Sequence, residues 1–71
     1  MSGLALLKER ISDSGMTMVS IAKRANMSRV TLYNRLKGIG EFTAPEIIGL
    51  TKVLRLSKSD REKIFFSKGL M

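Results

Sequence analysis

Residues 17–38, TMVSIAKRANMSRVTLYNRLKG, decide how this chain is read. Thr17 and Ser28 each stand just ahead of an apolar-periodic segment, where a side-chain oxygen can accept from a free backbone N–H at a helix start. Asn26, the next-best residue after glycine for a left-handed turn, ends the first segment. Gly38 closes the second. The stretch is therefore two short helices joined by three residues, 26–28, and so short a connection forces a sharp change of direction. Its charged residues are Lys23, Arg24, Arg29, Arg35 and Lys37, with no acid among them. The whole chain carries +7, so this stretch holds most of the excess. A compact helical pair with its charge concentrated in this way suits a polyanion.

Working outward, the same punctuation continues. Leu4, Leu7 and Ile11 form a stripe at helical spacing that predicts a first helix over about residues 4–14, with Gly15 as its stop. The second helix offers Met18, Ile21, Ala22 and Ala25 as apolar contacts, and the small Ala22 lets the following helix pack close across it. After the loop of residues 39–42, Thr43-Ala44-Pro45-Glu46 is a capping box with proline in the first turn. The helix it opens is expected to bury Ile47, Ile48, Leu50, Val53 and Leu54. Ser57 caps a fifth helix reaching about Phe66, with Asp60 at its third position and Ile64 and Phe65 as its apolar face. Apolar pairs bracket three of these starts as hydrophobic staples: Met16 with Ile21, Met27 with Leu32, and Phe42 with Ile47. The expected fold is all-α, a compact five-helix bundle forming one domain over residues 1–71.

Composition narrows the function. The chain has 71 residues with neither cysteine nor histidine, which leaves no disulfide, no thiolate or imidazole metal ligand, and no Cys–His nucleophile pair. The six carboxylates form no paired site, and Gly38-Ile39-Gly40 lacks the strand and Lys-Ser/Thr of a phosphate loop. No enzymatic activity, metal, cofactor or small-molecule substrate is expected. Glu9 and Arg10 interrupt the N-terminal apolar stretch, so no signal peptide is expected, and no apolar run approaches the ~20 residues of a membrane span. A membrane surface is disfavoured as a partner because the apolar helix faces are needed for the core. The expected compartment is the reducing cytoplasm.

At 100° per residue, Leu32 and Leu36 of the third helix point inward with Ser28 on their side. Val30, Tyr33, Asn34 and Lys37 lie opposite, flanked by Arg29 and Thr31. A merely solvated face would more often carry Glu/Lys pairs, whereas this helix has no acid. The mixture suits a DNA major groove: Arg29 for guanine, Asn34 for adenine and Val30 for a thymine methyl. Thr31, Tyr33, Arg35 and Lys37 are placed for phosphates.

The segment IAKRANMSRVTLYNRLKG resembles the helix-turn-helix of the phage Cro and repressor superfamily, and EFTAPEIIGLTKVLRLSKSDREKIFF continues a similarity to small phage and prophage regulators of Gram-positive bacteria. The resemblance implies a lambda-repressor-like fold with helices two and three as the helix-turn-helix. It also implies a transcriptional regulator, chiefly a repressor, that occupies a double-stranded DNA operator. It places base reading on Arg29, Val30 and Asn34. Phosphate contacts fall on Thr17, Ser28, Lys37 and the Thr43 backbone. Three positions depart from the family pattern. Asn26 stands where the turn usually has Gly, Met18 where helix two usually opens with Gln, and Leu36 one residue after the usual second core position, which here is Arg35. The alternative is a protein-interaction module of the same fold that binds another regulator or a polymerase subunit. Because specific binding by modules this small usually pairs two on adjacent half-sites, a homodimer is expected on DNA. The apolar surplus at Phe66, Leu70 and Met71 is its candidate interface, with packing of Phe66 under helix one as the alternative.

Overall fold

Side-chain caps and left-handed turns set the element boundaries in a computed structural model that describes residues 3–66. The elements are α1 (Gly3–Ser14), α2 (Met18–Arg24), α3 (Arg29–Leu36), α4 (Ala44–Leu54) and α5 (Lys58–Arg61), the last running directly into a π-helical turn, Glu62–Phe66. No strand occurs among the described residues. Thr17, Ser28, Thr43 and Ser57 each accept a hydrogen bond from the backbone N–H three residues on. Thr43 with Glu46, and Ser57 with Asp60, complete reciprocal capping boxes.

The helix ends are as uniform as the starts. α1 to α4 are followed by residues at positive φ: Gly15 at 74°, Asn26 at 61°, Gly38 at 89° and Arg55 at 54°. After α2, α3 and α4 the backbone closes the same double bond of a Schellman turn. Asn26 and Met27 donate to Lys23 and Ala22, Gly38 and Ile39 to Arg35 and Asn34, and Arg55 and Leu56 to Lys52 and Thr51. At the end of α1 the longer of these bonds is relayed through a side chain. The Ser14 hydroxyl accepts from the Met16 N–H at 3.1 Å and donates to the Ile11 carbonyl at 2.6 Å. Arg55 takes the left-handed conformation with no glycine or asparagine to signal it, and costs about 1–2 kcal/mol in doing so.

One fully buried residue from each of the first four helices forms the centre of the core: Leu7, Ile21, Leu32 and Leu50. Each contributes about 1.5–3 kcal/mol through removal from water. Ile11, Ala22, Ala25, Leu36, Leu56 and Ile64 surround them. α2 lies against α3 and α4, while α1 meets α3, α4 and the π-helical turn. α4 comes very close to the end of α2. A Cβ built on Gly49 would stand 2.7 Å from the Ala25 carbonyl oxygen and 3.0 Å from its Cα. α1 begins closer still to the π-helical turn, where a side chain at Gly3 would run into the carbonyls of Lys63 and Ile64. That turn buries Ile64 and brings Phe65 edge-on to Phe42, ring centroids 5.1 Å apart at 79°.

α1 and α5 are also joined by a fork. Arg10 donates from Nε and Nη2 to the two carboxylate oxygens of Asp60, at 3.1 and 3.2 Å. Arg10 additionally lies 3.6 Å from Asp13. The hydrogen bond from Arg10, aided by the Ser57 backbone N–H, holds the Asp60 carboxyl below its ordinary range against the opposing effect of desolvation.

Three expectations are corrected. Ile48 is 56% exposed rather than buried, because it lies 200° round α4 from Leu50 and the two cannot face the same core. The fifth helix does not continue as α-helix to Phe66; it changes to a π-helical turn after Arg61. Ser28 is exposed at the helix start rather than directed inward with Leu32 and Leu36. Leu70 and Met71 lie outside the described residues.

Gly49→Ala is expected to destabilise the chain by about 1–3 kcal/mol in urea unfolding, because the added methyl meets backbone that has no rotamer to yield. Unchanged or greater stability would show that α2 and α4 separate without cost. A second expectation follows from the sign of the Asp60 shift. Its ionised form is favoured by folding, so the contribution is complete above about pH 4 and is lost as pH falls through the lower folded value. Asp60→Asn should therefore flatten the acid limb of stability, measured by thermal unfolding between about pH 4 and pH 2. Parallel limbs would rule out the linkage.

Candidate nucleic-acid interface

The orientation of α3 follows from its two buried side chains, Leu32 and Leu36, which turn the opposite side of the helix to solvent. There Val30 is 63% exposed and Tyr33 43% exposed, with Arg29 and Lys37 also exposed and Asn34 and Thr31 half-buried. The Arg29 guanidinium carbon lies 5.9 Å from the centre of the Tyr33 ring. This i, i+4 cation–π contact is worth about 0.5–1 kcal/mol at an exposed site and extends the guanidinium along the helix. The Asn34 carbonyl accepts from the N–H groups of Lys37 and Ile39, closing the helix end, while its side-chain amide makes no hydrogen bond among the described residues. Lys23 and Arg24 in the last turn of α2 are exposed, and neither they nor Lys37 has an ion-pair partner among the described residues.

The two N-cap hydroxyls are already engaged at the helix starts. Thr17 Oγ1 accepts from the Ser20 N–H at 3.1 Å. Ser28 Oγ accepts from the Thr31 N–H at 3.0 Å and donates to Thr31 Oγ1 at 2.8 Å. Ser28 and Thr31 therefore form one exposed hydroxyl pair at the start of α3, and Thr17 opens the neighbouring helix.

Arg35 stands apart from this face. Its side chain is only 20% exposed. Nη1 donates to the Ile39 carbonyl at 3.3 Å, and Nε lies 3.5 Å from Glu46 Oε1 with no hydrogen bond of its own. Of the residues expected at phosphates, Arg35 has its guanidinium folded into the loop between α3 and α4. The cause is the core register. With Leu36 taking the second inward position, Arg35 sits 100° from it, on the flank facing that loop. Sequence reasoning missed Glu46 and Gly40 as parts of this arrangement. The sequence carries two signals for it: an arginine where the family pattern has a core residue, and an acid eleven positions on whose capping bond leaves its carboxylate free to accept again.

A shallow apolar groove lies on α4 and the π-helical turn, lined by Ala44, Ile47, Ile48 and Phe66 with Lys52 and Arg61 beside them. Phe66 is 47% exposed within this groove. No group of three or more His, Cys, Asp or Glu residues suited to a metal occurs among the described residues. No described helix is long and apolar enough to cross a membrane.

No family model, curated protein or solved structure matches the chain.

Proposed function

We propose that this chain is a sequence-specific DNA-binding regulator of the phage Cro/repressor type, with α2 and α3 as a helix-turn-helix and α3 seated in the major groove. The observation that carries the reading is the acid-free outer face of α3, with Arg29, Val30, Tyr33, Asn34 and Lys37, together with Lys23 and Arg24 at the end of α2, exposed and without an ion-pair partner among the described residues. Arg29 chelates guanine, the uncommitted amide of Asn34 pairs with adenine, and Val30 packs on a thymine methyl. Thr17, Ser28, Thr31, Tyr33 and Lys37 hold phosphates and set the register. Occupation of an operator by such a head, in the cytoplasm and without cofactor, blocks a promoter, so the regulator acts as a repressor.

A single unit measuring 33 × 23 × 20 Å covers about one half-site. Two copies on half-sites roughly 34–36 Å apart would supply the area that specific binding requires. The exposed Phe66 and Ile48 are the apolar residues on which such a homodimer would close. The same groove also favours a second reading, in which the fold serves as a module that binds another regulator or a polymerase subunit.

Selection from a random duplex pool is expected to enrich one motif, with twofold symmetry if the homodimer forms. Enrichment of nothing would remove the DNA reading and leave the protein-binding one. On the enriched duplex, Asn34→Ala should cost about 1–3 kcal/mol, with little effect on random DNA. Lys37→Ala should weaken binding to all sequences and lower the slope of log K against log salt by about one phosphate contact. Equal losses for both variants on every sequence would show that Asn34 does not read a base.

A further inference from the structure

The loop between α3 and α4 is built around one guanidinium. Arg35 reaches forward so that Nη1 donates to the Ile39 carbonyl and Nε faces the Glu46 carboxylate. The same carboxylate oxygen, Oε1, accepts from the Thr43 N–H at 3.0 Å and so starts α4. Gly40, at φ +76°, passes so close that a Cβ there would run into Arg35 Nη1. The end of α3, the loop and the first turn of α4 thus share one half-buried ion pair, with side chains 20% and 15% exposed. Lys37 and the exposed Ile39 lie on the stretch it holds.

We propose that Arg35 is a positioning residue for DNA readout: acting through Glu46 and the Ile39 carbonyl, it fixes the angle of α3 against α4 and makes no phosphate contact. This rests on the DNA-binding reading above. α3 enters the core through only two side chains, both on one side, and the Arg35 clamp resists rotation about that axis from its flank. Arg35 and Glu46 also cancel each other's charge, so the pair adds no net attraction for a polyanion.

The charge balance yields a test whose sign is opposite under the competing view. Glu46→Gln removes an acid from a protein that binds a polyanion, so charge alone would tighten binding on every duplex. The substitution keeps a capping-box acceptor, so α4 still starts at the same place. Arg35→Lys keeps a point charge that would serve a phosphate, but one ammonium cannot reproduce a fork that engages a carbonyl and a carboxylate together.

The experiment measures the 71-residue chains on the enriched duplex and on a scrambled one, with amide hydrogen exchange of the free proteins as a structural control. Arg35→Lys, Arg35→Gln and Glu46→Gln are each expected to weaken binding to the enriched duplex by about tenfold. Binding of Arg35→Lys to the scrambled duplex should be unchanged. The Arg35→Gln/Glu46→Gln double variant should lose no more than either single one. Exchange at residues 39–42 should speed up in all three single variants while the amides of Leu7, Ile21 and Leu50 stay protected.

Wild-type affinity in Arg35→Lys alongside a loss in Arg35→Gln would make Arg35 a phosphate contact and overturn the proposal. Equal or tighter binding by Glu46→Gln on the enriched duplex would overturn it as well. If the unmodified chain enriches no duplex, the DNA reading falls and this role falls with it, an outcome separate from the other two.

Discussion

Leu32 and Leu36 are the two side chains by which α3 is anchored in the core, and the placement of every outward residue on that helix depends on them. An eight-residue helix does not persist in water on its own, since nucleation outweighs so few propagating bonds. α3 therefore exists because its leucines meet Leu7, Ile21 and Leu50. Two contacts one turn apart specify a direction well and a rotation less well. The remaining rotational restraint comes from groups outside the core, which gives a half-buried arginine on the helix flank an importance that apolar burial alone would not predict.

How much of this was legible in the sequence depends on the range of the interaction. Thr17, Ser28, Thr43 and Ser57 act on backbone three residues away, so their type and spacing are sufficient evidence, and each caps the helix expected of it. Gly15, Asn26 and Gly38 end helices by their own conformational tolerance. Arg55 makes the same turn with no local preference for it. The paired backbone bonds from Arg55 and Leu56 and the burial of Leu56 hold it there. Ile48 reads as core by composition and emerges as surface, because only the packing partner decides which of several neighbouring apolar residues faces inward.

The candidate site divides in the same way. The acid-free face of α3 is a property of helical periodicity, so its members were identifiable from residues 28–37 alone. The engagement of Arg35 was not, because its partner belongs to another helix and already had a local explanation as a capping residue. The Arg10–Asp60 fork is the extreme case. It spans fifty positions in sequence, and Asp60 likewise has a sufficient local role in capping α5. In both pairs one carboxylate starts a helix and anchors an arginine from another, and sequence periodicity shows only the first of these duties.

This double use of carboxylates sorts the charges of a strongly basic chain. Asp60 and Glu46 lie beside Arg10 and Arg35 and join one helix to another, while Asp13 meets Arg10 within α1, so half of the six acids are engaged with these two arginines. The cations of α2 and the outer face of α3 have no acidic partners among the described residues, so their field reaches solvent. Added salt acts differently on the two groups. At about 0.15 M the screening length is about 8 Å, which weakens exposed charges acting on a distant polyanion far more than a half-buried pair at 3.5 Å. Salt should therefore loosen any grip on phosphates without releasing the clamp that orients α3. On the proposed DNA-binding reading, affinity rests on Lys23, Arg24 and the outer cations of α3, and orientation on Arg35 with Glu46.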